Sequence, residues 1–238
     1  LRLVIWGLHA FLKRQVDHHS GETMFFSFTK LFPRLHSLVL ISRELRSQIK
    51  ETLTLDLPPT LTALELSSSS LGYNADFAAA HPNLTSLTLE YVTDAQAKDF
   101  TLPPNLEMLK LISCPSAAMV ALIPALLSLT TLELWLSVDF FAKLANQSEL
   151  SSVFSRLPKN LTSLYLTNAT LDADFLPSLP RSLTSLNVQK HGNQWISEDL
   201  IQYLPKTMRF LRLTVVDPSY PNSFVASRNG DLLSSTEP

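Results

Sequence analysis

Leucines recur along the chain in the pattern Leu-x-x-Leu-x-Leu, whose last two leucines flank a single polar or variable residue. Apolar residues that alternate with variable ones are typical of a short β-strand with one buried face. A proline ahead of most copies ends any helix before the strand begins. Each copy therefore predicts one strand, and eight phrases carry the pattern: LFPRLHSLVL (31–40), LPPTLTALEL (57–66), HPNLTSLTLE (81–90), LPPNLEMLKL (102–111), LLSLTTLELW (126–135), LPKNLTSLYL (157–166), LPRSLTSLNV (179–188) and LPKTMRFLRL (204–213).

The phrases form an internal repeat, in which the three leucines are numbered positions 1, 4 and 6. Successive first positions lie 22 to 32 residues apart, and Met208 replaces leucine in the last copy. One short strand cannot bury its leucines alone, whereas parallel strands about 4.8 Å apart give a continuous core. The repeat therefore predicts a solenoid, with the segments between the phrases on its outer, convex side.

The connecting segments have a signature of their own, an Asp-Phe pair at 76–77, 99–100, 139–140 and 174–175. The phenylalanine is suited to fill the core from the convex side, and the aspartate to cap a short helical turn. The longest segment has room for helices over 138–146 and 149–156.

The phrases resemble those of the leucine-rich-repeat superfamily over residues 31–216, and the wording LPxxLTxLxL is similar to protist FNIP-type and bacterial LPX-type repeats. The resemblance implies an α/β fold, a curved right-handed superhelix with a parallel β-sheet on the concave face and short helices or loops on the convex face. Position 9, where the superfamily commonly has Asn or Cys, varies here, so we expect no continuous asparagine ladder and an irregular curvature.

The two ends of the chain are expected to cover the repeat array. Residues 1–30 include a strand at 1–6 and a short helix near 22–31, which predict an N-terminal cap or a degenerate repeat. Residues 217–238 contain two prolines, a glycine and a polar end, which predict a C-terminal cap and tail.

Composition excludes several classes of protein. The chain is 45% hydrophobic and 17% charged, with 19 Lys+Arg against 21 Asp+Glu, which excludes a disordered tail, a collagen-like fibre and a strongly basic nucleic-acid binder. We therefore expect no nucleic-acid partner. Positions 111–132 carry no charge, but Ser, Thr and Pro residues interrupt them, so we expect a buried helix there and no membrane span.

Cysteine usage bears on the compartment. Cys114 is the single cysteine and cannot form an internal disulfide, which favours a reducing compartment and hence the cytoplasm. A secreted or cell-surface location stays open because Asn-x-Ser/Thr triplets begin at Asn83, Asn146, Asn160 and Asn168.

Candidate chemistry is sparse. Asp17, His18, His19 and Glu22 have no recognised metal-ligand spacing, and no histidine in a neighbouring phrase is placed to activate Cys114. With five glycines in all, the chain offers no phosphate-binding loop. We expect no catalytic residue, no metal and no cofactor, and the protein is predicted not to be an enzyme.

The remaining candidate is a surface. Positions 3, 5 and 7 alternate with the buried leucines and should line the concave face. Its middle should combine apolar and aromatic side chains with a charged rim, which is how protein interfaces are composed. The predicted protein-binding residues are Glu65, Glu90, Met108, Lys110, Ile112, Glu133, Trp135, Tyr165, Asn187 and Arg212.

The resemblance and this face together imply a non-catalytic protein–protein interaction module, a scaffold or a substrate-recognition arm. Two alternatives stay open. The chain could be the recognition arm of an enzyme such as a ubiquitin ligase, whose catalytic or F-box part lies outside these residues, or a secreted or cell-surface receptor. The identity of the protein partner and the oligomeric state do not follow from the sequence.

Overall fold

Each leucine phrase folds as a tight turn that leads into a strand. The computed structural model of the protein describes residues 1–6, 24–41, 53–67, 81–92, 97, 101–123, 127–136, 153–168, 176–191, 203–216, 223–227 and 232–233. In seven phrases the N–H of position 1 donates to the carbonyl three residues earlier, at N···O distances of 3.0 to 3.3 Å. These bonds join Leu35 to Phe32, Leu61 to Pro58, Leu84 to His81, Leu106 to Pro103, Leu161 to Pro158, Leu183 to Pro180 and Met208 to Pro205. The proline predicted to stop a helix thus lies within the turn itself.

The chain divides into two compact units, of which the first is Leu1–Ser128. Five parallel strands stack in it: β1 (Arg2–Trp6), β3 (Ser37–Ile41), β5 (Ala63–Ser67), β6 (Ser86–Glu90) and β7 (Met108–Ile112). A separate parallel pair joins β2 (Met24–Ser27) to β4 (Leu53–Asp56). Short helices span Phe28–Leu31 and Ser116–Leu122.

The second unit is Leu129–Pro238. Its parallel strands are β8 (Thr131–Trp135), β9 (Ser163–Thr167), β10 (Ser185–His191) and β11 (Phe210–Val216). Two antiparallel strands follow, β12 (Ser223–Ser227) on β11 and β13 (Leu232–Leu233) on β12. A 3-10 turn spans Leu176–Ser178.

Equal repeat positions face each other across every parallel pair of phrases. In the first unit Leu38, Leu64, Leu87 and Leu109 are in register at position 4, and in the second unit Leu132, Leu164, Leu186 and Leu211 are. All eight are buried, and each fully buried leucine contributes about 1.5 to 3 kcal/mol. Within each unit, one parallel strand per phrase and a shared leucine core confirm the predicted leucine-rich-repeat solenoid.

The N-terminal helix was predicted with the wrong bounds. The sequence favoured a helix near 22–31, but Met24–Ser27 is a strand and the helix spans Phe28–Leu31. The strand forms because β4 supplies a parallel partner, which local periodicity could not reveal. The hydroxyl of Ser27 accepts a hydrogen bond from the Lys30 N–H at 3.3 Å and so caps the first turn of the helix.

The uncharged stretch contains a short helix, and several other predictions fall outside the described residues. The uncharged stretch 111–132 is shared by the end of β7, the helix Ser116–Leu122 and the start of β8, and no helix among the described residues is long and apolar enough to cross a membrane. The Asp-Phe pairs, the helix over 138–146, the start of the helix over 149–156 and the cluster at 17–22 lie outside the described residues.

Several strands end in a left-handed residue. The first residue after β6, β7 and β9 has a positive φ: 58° at Tyr91, 52° at Ser113 and 56° at Asn168. Asn168 lies at position 8, one place before the expected asparagine, and its Nδ2 donates to the Leu136 carbonyl of the preceding repeat at 2.7 Å. Asparagine tolerates this conformation better than most residues, so it supports the turn locally without forming a ladder.

Two columns of polar side chains hold neighbouring repeats together. At position 2 the backbone N–H and the hydroxyl of Thr184 both donate to the Thr162 carbonyl, at 2.9 and 3.1 Å. Thr162 bonds Thr130 in the same way. The threonines at position 2 thus act as hydrogen-bond donors between repeats.

The second column lies at position 0, directly before the first leucine. The Ser182 hydroxyl lies 2.6 Å from both the Lys159 and the Leu161 carbonyls of the preceding repeat. Thr60 and Thr207 make equivalent bonds. Asn83 and Asn105 reach the preceding turn through Nδ2, at 3.0 and 2.9 Å. The column supplies hydrogen-bond donors to backbone carbonyls of the turns, which lie outside the hydrogen-bond ladder between the strands.

Replacing Ser182 with Ala should lower the free energy of unfolding by about 1 kcal/mol, because a partly buried carbonyl loses its donor. Ser182→Thr should retain most of the stability, since threonine occupies the same position at 60 and 207. Urea titration of the three proteins tests this. Equal stability of the Ala and Thr variants would show that the hydroxyl has no such role.

His81 occupies a turn position where four other phrases have a buried proline. Its side chain is 6% exposed, and burial lowers the pKa of His81 from the usual 6.5, while nearby Asp56 acts in the opposite direction. Asp56 itself accepts hydrogen bonds from the hydroxyls of Ser27 and Thr29, the latter at 2.9 Å. The unfolded chain therefore binds a proton at His81 more readily than the folded chain does.

His81 should make the protein less stable in mild acid. As the pH falls below 6.5 the unfolded state gains protons first, so the free energy of unfolding should decrease, by at most about 1.4 kcal/mol per pH unit from this group. His81→Gln should reduce that slope. Urea titrations between about pH 7.5 and about pH 5.5 measure it, and an unchanged slope in the variant would exclude His81 as the cause.

Candidate functional site

The predicted binding residues all lie on strands at positions that alternate with buried leucines. In β5, β6, β7 and β8 the exposure alternates residue by residue, with the leucines buried and their neighbours half-buried. Nine of the ten predicted residues are half-buried and Arg212 is exposed. This placement follows from the two-residue period of a strand; their role in binding stays a prediction.

The first unit contributes Glu65, Glu90, Met108, Lys110 and Ile112 to this outward face. Glu90 is in register with Ile112, and it accepts a hydrogen bond from the hydroxyl of Ser67 on its other side. The hydroxyl of Ser86 lies 3.7 Å from the Met108 sulfur. These contacts fix side chains on the strand surface and leave part of each accessible.

The second unit contributes the remaining residues, and here two aromatic rings meet. The ring centroids of Trp135 and Tyr165 are 5.5 Å apart with an interplanar angle of 34°. Trp135 donates its Nε1–H to Glu133 at 3.2 Å, and Tyr165 donates its hydroxyl to Gln189 at 2.6 Å. Each ring is thus fixed by the other ring and by one polar partner.

A column of unlike side chains crosses this face at position 5. Glu133, Tyr165, Asn187 and Arg212 face one another in register on β8, β9, β10 and β11. Burial raises the pKa of the Tyr165 hydroxyl, Glu133 raises it further, and Arg212 lowers it. Tyr165 therefore lies within the electrostatic influence of both charges.

The sequence prediction missed part of this arrangement. Gln189 lies outside the predicted binding set, yet it holds the Tyr165 hydroxyl. Thr167 stands at position 7, which is predicted to line the concave face, but it is 7% exposed, and its hydroxyl accepts a hydrogen bond from the Leu136 N–H at 3.0 Å. Val39, also at an outward position, is buried as well. Strand periodicity gives the face of a residue but not what covers it.

Met108 and Ile112 lie in one unit and Trp135 and Tyr165 in the other. The sequence predicts that these four side chains form one patch, and this grouping stays a prediction. The contacts between Trp135 and Tyr165 lie within the second unit and do not depend on it.

Cys114 is placed as a packed side chain. It is 2% exposed, and burial raises the pKa of its thiol to about 11. The thiol is therefore protonated near neutral pH and is a poor nucleophile. Among the described residues, no group of three His, Cys, Asp or Glu side chains is arranged to hold a metal ion.

Parallel strands, one per Leu-x-x-Leu-x-Leu phrase, with equal positions in register, define the architecture of leucine-rich repeats. This chain has the leucine-rich-repeat fold. No protein-family model matches its sequence and no curated protein does. The similarity to FNIP-type or LPX-type repeats stays a prediction.

Among solved structures, this chain is similar to the leucine-rich repeat-containing protein LegL7 from Legionella pneumophila. The two are 20% identical, with a TM-score of 0.43, and the match covers 65% of this chain and 57% of that chain. The match therefore spans little more than half the length of LegL7.

The electrostatic setting of Tyr165 can be tested directly. Glu133→Gln should lower the pKa of the Tyr165 hydroxyl and Arg212→Gln should raise it, because Glu133 and Arg212 act on it in opposite directions. Titration by NMR of ring-labelled tyrosine, assigned with Tyr165→Phe, measures both shifts. Shifts in the same direction would contradict the placement of Tyr165 between the two charges.

Proposed function

We propose that this leucine-rich-repeat protein is a non-catalytic recognition module that binds a protein partner through the outward face of its strands, as a scaffold or a substrate-recognition arm. The observation that carries the proposal is the aromatic pair of Trp135 and Tyr165. Both rings lie half-buried on the strand surface, on the opposite side from the leucine core.

The arrangement suits protein binding for an energetic reason. Aromatic side chains at the centre of an interface commonly contribute about 2 kcal/mol or more each, provided that ordering them on binding costs little. Here Glu133 and Gln189 already hold the rings through hydrogen bonds. A partner that covers the pair therefore gains apolar contact without paying the full entropy of fixing two large side chains.

The other outward residues also support the proposed protein binding. Glu65, Glu90, Met108, Lys110 and Ile112 place apolar and charged groups side by side on the strands of the first unit. A mixture of apolar centre and polar rim distinguishes protein interfaces from the rest of a surface. Cys114, by contrast, is a buried and protonated thiol that does not favour a reaction at this site.

The Asn-x-Ser/Thr triplets are the reason for the receptor alternative. In the triplet that begins at Asn168, the asparagine side chain makes a hydrogen bond within the fold. Its Nδ2 donates to the Leu136 carbonyl, and its Oδ1 is buried. Two of the remaining triplets begin at exposed turn residues, Asn83 and Asn160. The Nδ2 of Asn83 also donates to a neighbouring repeat, at the Pro59 carbonyl, so two of these three asparagine side chains make hydrogen bonds between repeats, and the recognition module stays the preferred function.

Replacing both Trp135 and Tyr165 with Ala should abolish capture of the partners that the wild-type protein retains from an extract of its own cells. A loss of about 2 kcal/mol at each ring lowers affinity about 30-fold per ring. The fold should survive, because both side chains point away from the leucine core; circular dichroism and urea titration check this. Immobilised protein and mass spectrometry of the retained proteins provide the readout.

The matched control is Lys159→Ala with Arg181→Ala, two exposed turn residues of the same unit. These changes should leave capture intact. The proposal is contradicted if the folded aromatic double variant retains every partner while the control loses them. In that case the binding surface lies on the turns and not on the strands.

A further inference from the structure

The outward face of β8–β11 has opposite charges at its two ends. Among positions 3, 5 and 7 of these strands, Glu133 and Arg212 are the charged residues. They occupy the same position on the first and the last of four neighbouring strands, with Tyr165 and Asn187 in register between them. The face therefore has a direction, acidic at β8 and basic at β11.

The separation of the two charges can be derived from the sheet. Neighbouring strands lie about 4.8 Å apart, so three steps from β8 to β11 span about 14 Å. An extended polypeptide advances about 3.4 Å per residue, so about four residues cover the same distance. A segment that crosses the strands would bring residues i and i+4 over Glu133 and Arg212.

The residues between the charges suit the middle of such a segment. Trp135 and Tyr165 present two fixed rings to an apolar side chain. Asn187 is half-buried, and its side-chain amide can both donate and accept hydrogen bonds, which matches the backbone of an extended chain. The aromatic pair lies nearer the acidic end, because Trp135 is on the same strand as Glu133.

The acidic end is oriented for a cationic group. Glu133 accepts the Trp135 indole N–H at 3.2 Å, which fixes the carboxylate beside the ring. An ionised carboxylate has two oxygens with about four acceptor sites, so a Lys or Arg side chain of a partner can bind the same group. A cation in that place also lies beside aromatic rings, whose faces attract it.

We propose that the outward face of β8–β11 binds an extended segment of a partner protein that carries a basic residue over Glu133, an acidic residue over Arg212 about four residues away, and an apolar residue between them. This inference rests on the proposed function and specifies the chemistry of the partner.

Selection from a phage-displayed library of random nine-residue peptides on the full chain tests the inference. The enriched peptides should combine one basic and one acidic residue about four positions apart, in either chain direction, with an apolar residue between them. On the Glu133→Lys variant the basic residue should be replaced by an acidic one, and on Arg212→Glu the acidic residue by a basic one.

Affinity measurements with individual peptides then show how much each charge contributes to binding. A peptide selected on the wild-type protein should bind Glu133→Lys about 10-fold or more weaker, and its charge-reversed counterpart should regain that affinity, as expected for a direct pair. Circular dichroism verifies that each variant is folded. Peptides that lack the paired charges, the same peptides on all three proteins, or no enriched peptide at all would each overturn the inference.

The aromatic double variant separates this inference from the proposed function. If Trp135→Ala with Tyr165→Ala abolishes capture of native partners while charge reversal at Glu133 and Arg212 changes nothing, the face binds protein but not by paired charges. If the double variant retains every partner, the proposed function fails as well.

Discussion

The structure depends on one constraint: a phrase with three leucines cannot bury them except against the same leucines of the next repeat. Leu64, Leu87 and Leu109 are therefore in register, and so are Leu132, Leu164 and Leu186. A slip by one residue would turn every leucine outward and every polar residue inward, which makes the register of a one-sided strand strongly specified. The outward columns are fixed by the same register, so the candidate site is a consequence of how the core packs.

Hydrogen bonds between repeats reinforce that register. Ser182 and Thr184 both donate to carbonyls of the preceding repeat, and each belongs to a column that recurs along the chain. Hydrophobic burial is insensitive to direction, whereas these bonds are made at one register only. The leucines therefore provide the free energy of stacking and exclude a slip by one residue, and the small polar side chains before each strand add hydrogen bonds that form only at the native alignment.

The strands and their two faces could be predicted because a two-residue period is a local property of the sequence. The pairing of β2 with β4 could not, since it depends on a partner some thirty residues away in the chain. The same reason explains Thr167, whose outward position gave no sign that its hydroxyl would bond Leu136. At the candidate site the sequence placed Trp135 and Tyr165 on the correct face, but their ring contact and the part played by Gln189 depend on side-chain conformations that neighbouring strands select.

Positions 4 and 5 of the repeat differ in how freely their residue can vary. Position 4 is leucine in every phrase, whereas position 5 reads Val39, Glu65, Thr88, Lys110, Glu133, Tyr165, Asn187 and Arg212. A residue at position 4 must satisfy the core, so its choice is narrow. A residue at position 5 contacts mainly its neighbours on the face, so it can change at little cost to stability. With a formal net charge of only −2, the chain as a whole offers little long-range attraction. The proposed recognition of a partner therefore depends on the local order of side chains at position 5 within each unit.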